Sequence, residues 1–485
     1  MESIKHGVFV NEQATAVKAP QRMTSGIQLV VGTAPVHLTE NPEAAVNVPI
    51  LCENLNDAKK AIGYSKEDME TFTLCQSVFW NFEVFGVMPI IFVNVLNPEK
   101  HNKDITATEV TVTNGQAVLK EKSMIRSSIR VLDGETELVS GTDYITSYND
   151  EGYLLVTLLN EESGTERTKV TVSGKCLAPE KVTYEDIIGG YDSETGQESG
   201  LQLIRRVYPM FGLTAATILA PGYSHIPAVG AAMQSLCEEI NGTFRAECIL
   251  DIDTTTCKRY DEVKQYKDSA GFSGKHAYVV WPMILKDEKI LYGSANAAAV
   301  TQYSDYKNGG IPNVSPSNQF ANVDGTVLAD GTEVYLDFEQ AGAVNAAGVA
   351  TFANVNGWKL WGNYTAAYPE CADPKDKFFA VRRFFTWHGN RFITDFLVKC
   401  DNPSNEKLIE SIVDEENVIC NGYVSAGACA GAGIEIDTEK NTSDTLGDGK
   451  LYFRQKLTPF PPAQEITSTL AYDPEALANI LGGDN

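Results

Sequence analysis

The sequence of 485 residues is poor in the residue spacings that metal sites and disulfide-rich proteins require. It contains 6 histidines, none in a His-x-x-His or His-Glu-x-x-His arrangement, and its 10 cysteines include no Cys-x-x-Cys pair. Metal sites generally need such closely spaced ligands, whereas scattered cysteines in a large chain are typically reduced and buried. The sequence therefore predicts no metal site and no disulfide framework, and it shows no motif for a cofactor.

Basic residues are also few, with 39 Lys and Arg against 64 Asp and Glu and a net charge of −25. This balance argues against nucleic acid as a general partner, because phosphate binding requires basic patches. No apolar run is long enough to span a bilayer, and no apolar signal-peptide core follows Met1. We therefore expect a protein that is made and kept in the cytoplasm, without membrane insertion.

Two stretches match catalytic or phosphate-binding motifs only in part. Gly-Tyr-Ser-His at 222–225 lies between a predicted strand and a predicted helix, as a nucleophile elbow does, but Ile226 stands where the elbow has its second glycine. Residues 271–276 lack the first glycine of a phosphate loop and the hydroxyl residue after its lysine. A helix N-terminal turn is the favoured interpretation of Ser224, and a serine hydrolase acting through Ser224 is the alternative.

What the sequence does contain is a long alternation of strand and helix patterns. Ile27–Val31 and Pro89–Val95 are apolar runs typical of buried strands, and helical spacing is visible at Leu55–Ile62 and Asp68–Phe85. The alternation resumes after residue 181 and ends near residue 365. This order predicts a multidomain α/β protein with an open, mixed sheet, whose core domain comprises residues 26–100 and 181–365.

The sequence pattern changes between residues 101 and 180. Short alternating runs rich in Thr, Val and Ser are separated by turns such as Asn114-Gly115 and Asp133-Gly134. This pattern predicts a small β-sandwich inserted into the core domain and facing outward. Glycan binding by the insertion is an alternative, in which the protein is a surface adhesin or array protein. That alternative requires a secretion signal, which the sequence does not display.

The first and last parts of the chain predict extended arms. Residues 1–25 contain a short strand-like alternation at Gly7–Glu12 that no hairpin turn follows, so it is either an edge strand or a strand lent to another subunit. Residues 366–485 predict a C-terminal domain that ends in a strand arm at about 457–473. Within that domain we expect a long helix at Asp376–Asp395, interrupted near a glycine, and a short helix at Glu406–Val413.

The order of several short motifs resembles that of the contractile tail sheath proteins of phages and R-type bacteriocins. The most specific stretch is Glu339–Tyr364, where Val-Asn-Ala-Ala-Gly at 344–348 precedes Gly-Trp-Lys-Leu-Trp-Gly-Asn at 357–363. Near the C terminus, Pro-Pro-Ala-Gln-Glu-Ile at 461–466 fits the family pattern except for an extra Gln464. Further agreements, in chain order, are Gly7–Glu12, Val-Gly-Thr-Ala at 31–34, Ala-Pro-Gly at 220–222 and Ser-Pro-Ser-Asn at 315–318. Only the insertion is unmatched.

The resemblance implies a structural, non-enzymatic subunit of a contractile sheath. Six subunits would form a ring, rings would stack helically around an inner tube, and terminal arms would add strands to sheets of neighbouring subunits. The implied partners are further copies, the inner tube protein, and baseplate and tail terminator proteins, in a virion tail or similar particle assembled in the bacterial host cytoplasm. The residues expected in the inter-subunit arms are Val8, Phe9, Val10, Glu465, Ile466, Ser468 and Leu470.

The tube-facing surface is expected in the C-terminal domain, on the densest basic group of this acidic chain. Such a group favours electrostatic docking on an acidic tube. The alternative is an ordinary helix face whose basic side chains are solvated or form internal ion pairs. The candidates are Arg382, Arg383, Arg391, Lys399 and Lys407.

Overall fold

An eight-stranded sheet forms the centre of the computed structural model, which describes residues 25–149, 151–159 and 167–474. Its six inner strands are parallel, and each edge strand is antiparallel to its neighbour. The predicted α/β class with an open, mixed sheet is confirmed. In spatial order the strands are Ile50–Cys52, Ile90–Asn94, Gln28–Gly32, Thr217–Leu219, Glu247–Asp251, Ala277–Val280, Val349–Asn354 and Trp358–Trp361.

Helices cover the two faces of this sheet, which is why its inner strands are continuous apolar runs rather than alternating ones. Every residue of Gln28–Gly32, Ile90–Asn94 and Glu247–Asp251 is buried. The α-helices of this domain are Leu55–Ile62, Leu74–Val78, Tyr184–Ile188, Ile204–Phe211, Pro227–Glu238, Val263–Ser269, Gly293–Lys307 and Phe338–Ala346, and a π-helical turn lies at Phe79–Phe85. A three-stranded sheet, Met283–Lys286, Lys289–Leu291 and Gly325–Val327, and a small hairpin, Tyr191–Asp192 and Gln197–Glu198, complete it.

The predicted helix Asp68–Phe85 is too long at its start, because α-helix begins only at Leu74. Thr73 and Thr33 exchange two hydrogen bonds, each side-chain oxygen accepting from the other residue's backbone amide at 3.1–3.2 Å. This pairing draws the chain onto the end of the strand Gln28–Gly32, and the residues before it form turns instead of helix.

The insertion is an all-β unit between Asn102 and Leu177, and these two residues are paired partners, so the chain enters and leaves it at one place. Its seven strands form one continuous antiparallel sheet, and the long strand Asn102–Thr113 belongs to both halves. The halves share a single apolar core, as in a small sandwich. In spatial order the strands are Thr136–Glu137, Arg130–Asp133, Lys169–Leu177, Asn102–Thr113, Gln116–Lys122, Tyr153–Leu158 and Tyr144–Tyr148.

The C-terminal domain consists of two long helices and a two-stranded sheet. The helix Phe379–Phe396 starts in the central core, where Phe379 stacks on Tyr278 at 4.3 Å, and ends in the core of the C-terminal domain. The second helix is Glu406–Ser425. The strands Cys429–Ile436 and Phe453–Pro459 pair antiparallel, and we refer to them as the C-terminal sheet. Short helices lie at Pro374–Lys377 and Ser443–Gly447.

Both helix predictions for this domain were wrong in their extents. The first helix continues without a break through Gly389, whose missing side chain leaves open space and disturbs no neighbour. The second helix runs twelve residues beyond Val413, because Ile412, Glu416, Cys420 and Tyr423 are buried at helical spacing. The acidic run before Glu416 had hidden this pattern.

Among the described residues, no helix is long and apolar enough to cross a membrane.

Candidate assembly surfaces

The carboxyl edge of a parallel sheet is where α/β proteins commonly bind ligands, and here side chains of the chain itself fill it. A side-chain carbon on Gly32 would lie only 2.3 Å from Thr73 Oγ1. A carbon on Gly222, in the next strand's turn, would lie 2.8 Å from the Thr73 methyl group and 3.2 Å from the Tyr292 ring. This close packing leaves no room for a substrate between the two strand ends.

Ser224 lies at this edge and is fully buried, so it is not presented to solvent as a nucleophile. Its hydroxyl donates to Asp251 Oδ2 at 2.8 Å and accepts from the Asp251 amide at 3.0 Å. Ser294 donates to the same carboxylate through its hydroxyl at 2.5 Å and through its amide at 2.8 Å. Burial raises the pKa of Asp251. The cluster ties the turn at Ser224 and the strand Glu247–Asp251 to the Gly293–Lys307 helix, a structural role.

The described residues contain no group of three or more His, Cys, Asp or Glu side chains arranged to hold a metal ion. All ten cysteines are free thiols, and eight of them are buried.

Two of the five predicted tube-facing residues are buried inside the subunit. Arg383 pairs with the fully buried Asp305, its Nη1 lying 3.1 Å from Asp305 Oδ1. Arg382 is 7% exposed and places its Nη1 2.8 Å from Asp376 Oδ1. For these two arginines the structure matches the internal ion-pair alternative.

Of the other three predicted tube-facing residues, two are mostly buried and form ion pairs, and the third forms none with a described residue. Arg391 bonds to the buried Glu416, and Lys399 Nζ lies 2.6 Å from Glu415 Oε1. Lys407, in the first turn of the Glu406–Ser425 helix, is exposed and forms no ion pair with any described residue. Of the basic group, Lys407 is therefore the member that a partner can reach directly.

The C-terminal sheet has an open edge along the strand Phe453–Pro459, whereas Asn417 caps the other strand at Ile434. Its two strands pair only with each other among the described residues. In the strand Phe453–Pro459, half-buried Phe453, Gln455 and Leu457 alternate with exposed residues, which is the pattern of a sheet covered on one face. The Glu406–Ser425 helix covers that face, and Asn417 bonds both backbone groups of Ile434 at 3.0–3.1 Å. A half-covered sheet with a free edge can accept a further strand.

The chain after Pro459 has no strand partner of its own. Residues 460–473 contain no helix or strand, so only the first three residues of the predicted arm strand at about 457–473 are in a strand here. Ile466, Leu470 and Tyr472 are 88%, 93% and 78% exposed, and the predicted arm residues Glu465 and Ser468 are exposed too. We call residues 465–473 the terminal segment.

The predicted N-terminal arm residues Val8, Phe9 and Val10 lie outside the described residues. Ser25, the first residue that the structure describes, is buried and lines a cavity of about 210 Å³ between the central domain and the Phe379–Phe396 helix.

Comparison with known proteins was made on sequence and on fold. No protein-family profile matches the sequence. The tail sheath protein of Burkholderia phage BcepMu is 23% identical over 496 aligned residues, covering 99% of each chain. The tail sheath protein of Escherichia phage P2 is 26% identical over 316 residues, covering 62% of this chain and 74% of its own. A contracted PVC sheath complex from an extracellular contractile injection system matches the fold with a TM-score of 0.57 at 13% identity, covering 98% and 99%.

The resemblance to the contractile tail sheath proteins is confirmed. The match to the BcepMu sheath protein extends through the central and C-terminal domains alike, and the fold comparison covers the same span. The role predicted from the motifs, a structural subunit of a contractile tail sheath, is confirmed with it, and the adhesin alternative is not favoured.

The sequence predicts a strand at Leu451–Leu457, but the pairing of that strand with Cys429–Ile436, which forms the C-terminal sheet, was missed. The signal was present in the alternation of Phe453, Gln455 and Leu457, but Cys429–Ile436, rich in glycine and alanine, does not look like its partner strand.

Proposed function

We propose that this sheath subunit polymerises helically around an inner tube, with six copies in each ring, and that contraction of the assembly drives the tube through a target cell envelope. Its partners are further copies of the chain, the inner tube protein, and baseplate and tail terminator proteins. The setting is the tail of a virion or of a related contractile particle that is assembled in the bacterial host cytoplasm.

The terminal segment is the observation on which this proposal mainly rests. Ile466, Ser468, Leu470 and Tyr472 occupy alternate positions, so in an extended strand they share one face. That face is mostly apolar, yet within its own subunit it is exposed to solvent. Exposing large apolar side chains in a row is unfavourable unless a partner covers them. An added strand in a neighbouring copy provides both that cover and partners for the backbone groups.

The acceptor we propose is the C-terminal sheet of a neighbouring copy. Its strand Phe453–Pro459 has no described strand partner on its outer side, whereas Asn417 occupies the backbone groups of Ile434 in the other strand, so we expect the incoming strand beside Phe453–Pro459. A strand bound through backbone hydrogen bonds can stay bound while the domains that it joins rotate, because those bonds do not depend on domain orientation. Head-to-tail strand exchange of this kind generates an open, helical assembly rather than a closed dimer.

The contraction we propose needs no chemistry in this chain. Free energy is stored in the extended lattice, which is kinetically trapped, and is released when the subunits repack. The filled carboxyl edge of the central sheet and the buried Ser224 support a non-enzymatic role.

The experiment that tests strand addition is a sedimentation assay of the purified chain at rising concentration. We expect polymer to pellet for the parent protein and to be lost in the double variant Ile466→Asp/Leu470→Asp, because two charges would be buried on the covered face. The matched control is Glu465→Ala/Thr469→Ala, which changes the opposite face and is expected to pellet normally. Equal pelleting of all three proteins would contradict the proposal.

Contact with the tube is proposed for Lys407, with Arg391 and Lys399 supporting the helix that presents it through Glu416 and Glu415. Lys407→Glu reverses the charge of an exposed, unpaired side chain without touching a core. We expect weaker co-assembly with the tube protein and a smaller loss at high salt, because exposed charges are screened. Lys120→Glu, an equally exposed lysine without a described ion pair on the insertion, is the control. Unchanged co-assembly of Lys407→Glu would remove Lys407 from the tube contact.

A further inference from the structure

The chain between the C-terminal sheet and the terminal segment is unable to pair as a strand. Pro459, Pro461 and Pro462 have no backbone amide hydrogens, and prolines so closely spaced favour a stiff, extended conformation. Strand pairing in the C-terminal sheet stops at Pro459. A stiff spacer therefore separates this sheet from the first residues that could join another one.

This spacer leads to a groove of about 510 Å³ on the central domain. Pro462 is half-buried there, and residues 462–464 form one wall of the groove. Trp361, Tyr364 and Tyr368 lie along the groove with the loop 314–319 and part of the Phe338–Ala346 helix. The groove is thus a meeting point of the terminal chain and the Gly-Trp-Lys-Leu-Trp-Gly-Asn strand.

The walls of the groove are fixed before anything binds to them. The rings of Tyr364 and Tyr368 stack at 3.8 Å, and Lys377 lies over both at 5.3–5.5 Å. Asn345 donates to the backbone oxygens of Val349 and Trp361, each at 3.0 Å.

The loop side of the groove is equally fixed. Ser315 donates to Asn363 Oδ1 at 2.7 Å, and Ser317 Oγ accepts from the Gly362 amide at 3.0 Å. Side chains already engaged in this way form a rigid surface, which can hold a chain segment in one direction.

We propose that this groove is the anchor for the root of the C-terminal arm, and that Gln464 secures it through the Tyr364 side chain. Gln464 and Tyr364 both line the groove, which places the Gln464 side chain where it can interact with the Tyr364 hydroxyl. Gln464 is also the extra residue by which the Pro-Pro-Ala-Gln-Glu-Ile stretch of this chain differs from the family pattern. The inference rests on the proposed strand exchange for its purpose, although the anchor itself is a property of the single subunit.

The anchor sets how far the arm can reach. If the free arm starts at Glu465, its nine residues to 473 span about 30 Å at ~3.3 Å per residue. If it started directly after Pro459, fourteen residues would span about 46 Å. A shorter free arm has fewer conformations to lose on pairing and a higher effective concentration at an acceptor within its reach. It is also held away from the C-terminal sheet of its own subunit, which favours pairing with another copy.

The test is made on the full, unassembled chain at low concentration by spin-label mobility. Cys371 and Cys400, the two thiols that are not buried, are first replaced by Ser, and a nitroxide is attached at Glu465→Cys or at Leu470→Cys. We expect a broadened, immobilised component at position 465 and a mobile spectrum at position 470. Gln464→Ala and, separately, Tyr364→Phe should remove the immobilised component at 465, and Thr469→Ala should leave it.

Gln464 is exposed, so its replacement leaves the folded core intact, and thermal unfolding of each variant checks this. The anchor is overturned if the label at 465 is already as mobile as that at 470, or if neither substitution changes it. Polymerisation is then followed separately. If the label at 465 is immobilised but the chain never polymerises, the anchor is supported and the sheath proposal is contradicted. If the chain polymerises but the label at 465 is mobile, the sheath proposal is supported and the anchor is contradicted.

Discussion

At the scale of single residues, the buried ion pair between Arg383 and Asp305 joins the two domains of the chain. Arg383 is 4% exposed and Asp305 is fully buried, so neither charge is solvated when its partner is removed. We expect Arg383→Ala to lower the free energy of unfolding by about 3–5 kcal/mol, measured by urea or thermal denaturation.

The matched control for this prediction is Arg259→Ala. Arg259 also contacts an aspartate, Asp261, but the two side chains are 67% and 45% exposed. Solvent screens an exposed pair of this kind and it contributes little to stability, so this variant should unfold almost like the parent protein. Equal losses in the two variants would mean that burial of the Arg383 pair does not matter.

Lys267 is a second buried charge, and it gives a pH-dependent prediction. Its ammonium donates to the backbone oxygens of Ala347 at 2.8 Å and Tyr368 at 2.6 Å, and burial lowers its pKa to about 8. The unfolded chain holds this proton up to an ordinary lysine pKa of about 10.4. Between these values the unfolded state binds more protons, so the contribution of Lys267 to stability rises with pH.

The measurement is the difference in unfolding free energy between the parent protein and Lys267→Met from pH 7 to pH 10. This difference should be flat below pH 8 and grow in favour of the parent above it, because the neutral amine still donates to both oxygens without the burial penalty of a charge. A constant difference across the whole range would show that Lys267 keeps its proton.

Single residues also show where sequence reasoning stops. The basic group is dense along the sequence, but the carboxylate that neutralises Arg383 stands 78 positions away in another domain. Charge density along a sequence cannot identify a partner that only tertiary packing supplies. The partial nucleophile-elbow motif at Ser224 shows the same limit. Ser224 is buried against Asp251 and Ser294, which belong to other elements and cannot be identified as its neighbours from the sequence.

At the scale of elements, Gly389 and Gly230, which both lie inside helices, lead to opposite predictions for substitution by alanine. A side-chain carbon at Gly389, inside the Phe379–Phe396 helix, would meet open space. Gly389→Ala should therefore raise the free energy of unfolding by about 1 kcal/mol, the difference in helix propensity. A carbon at Gly230, inside Pro227–Glu238, would lie 2.3 Å from the Phe272 ring, so Gly230→Ala should destabilise the protein.

Thermal denaturation of these two variants checks both the expected gain in stability for Gly389→Ala and the expected loss for Gly230→Ala. A loss of stability in Gly389→Ala would mean that this glycine has a packing role that the isolated subunit does not reveal. Circular dichroism on the same samples tells whether any loss comes from the helix itself.

Element positions were largely predictable, and element ends were not. The apolar runs of the central sheet are specified locally, because both faces of each strand are covered. The end of the second C-terminal helix depends instead on Glu416 and Tyr423, whose burial follows from packing against Arg391 and the C-terminal sheet. A charged residue in the buried face of a helix has no signature in a hydrophobic pattern.

At the scale of the whole molecule, the order of motifs from Val31 to Ile466 was sufficient to recognise the sheath resemblance, which comparison then confirmed over 99% of the chain. The acceptor surface could not be predicted in the same way. It arises where two sequence-distant strands, Cys429–Ile436 and Phe453–Pro459, meet and the outer edge of the second has no described strand partner.

The most direct test of the account is negative-stain electron microscopy of the purified chain at rising concentration, compared with a chain that ends after Gln464. The account predicts long hollow tubes from the parent protein, and only separate subunits from the shortened chain, which keeps its folded domains but lacks the terminal segment. Tubes from both chains would contradict the role of the terminal segment. Monomers or small closed oligomers from the parent, even with a tube protein present, would contradict helical sheath assembly itself.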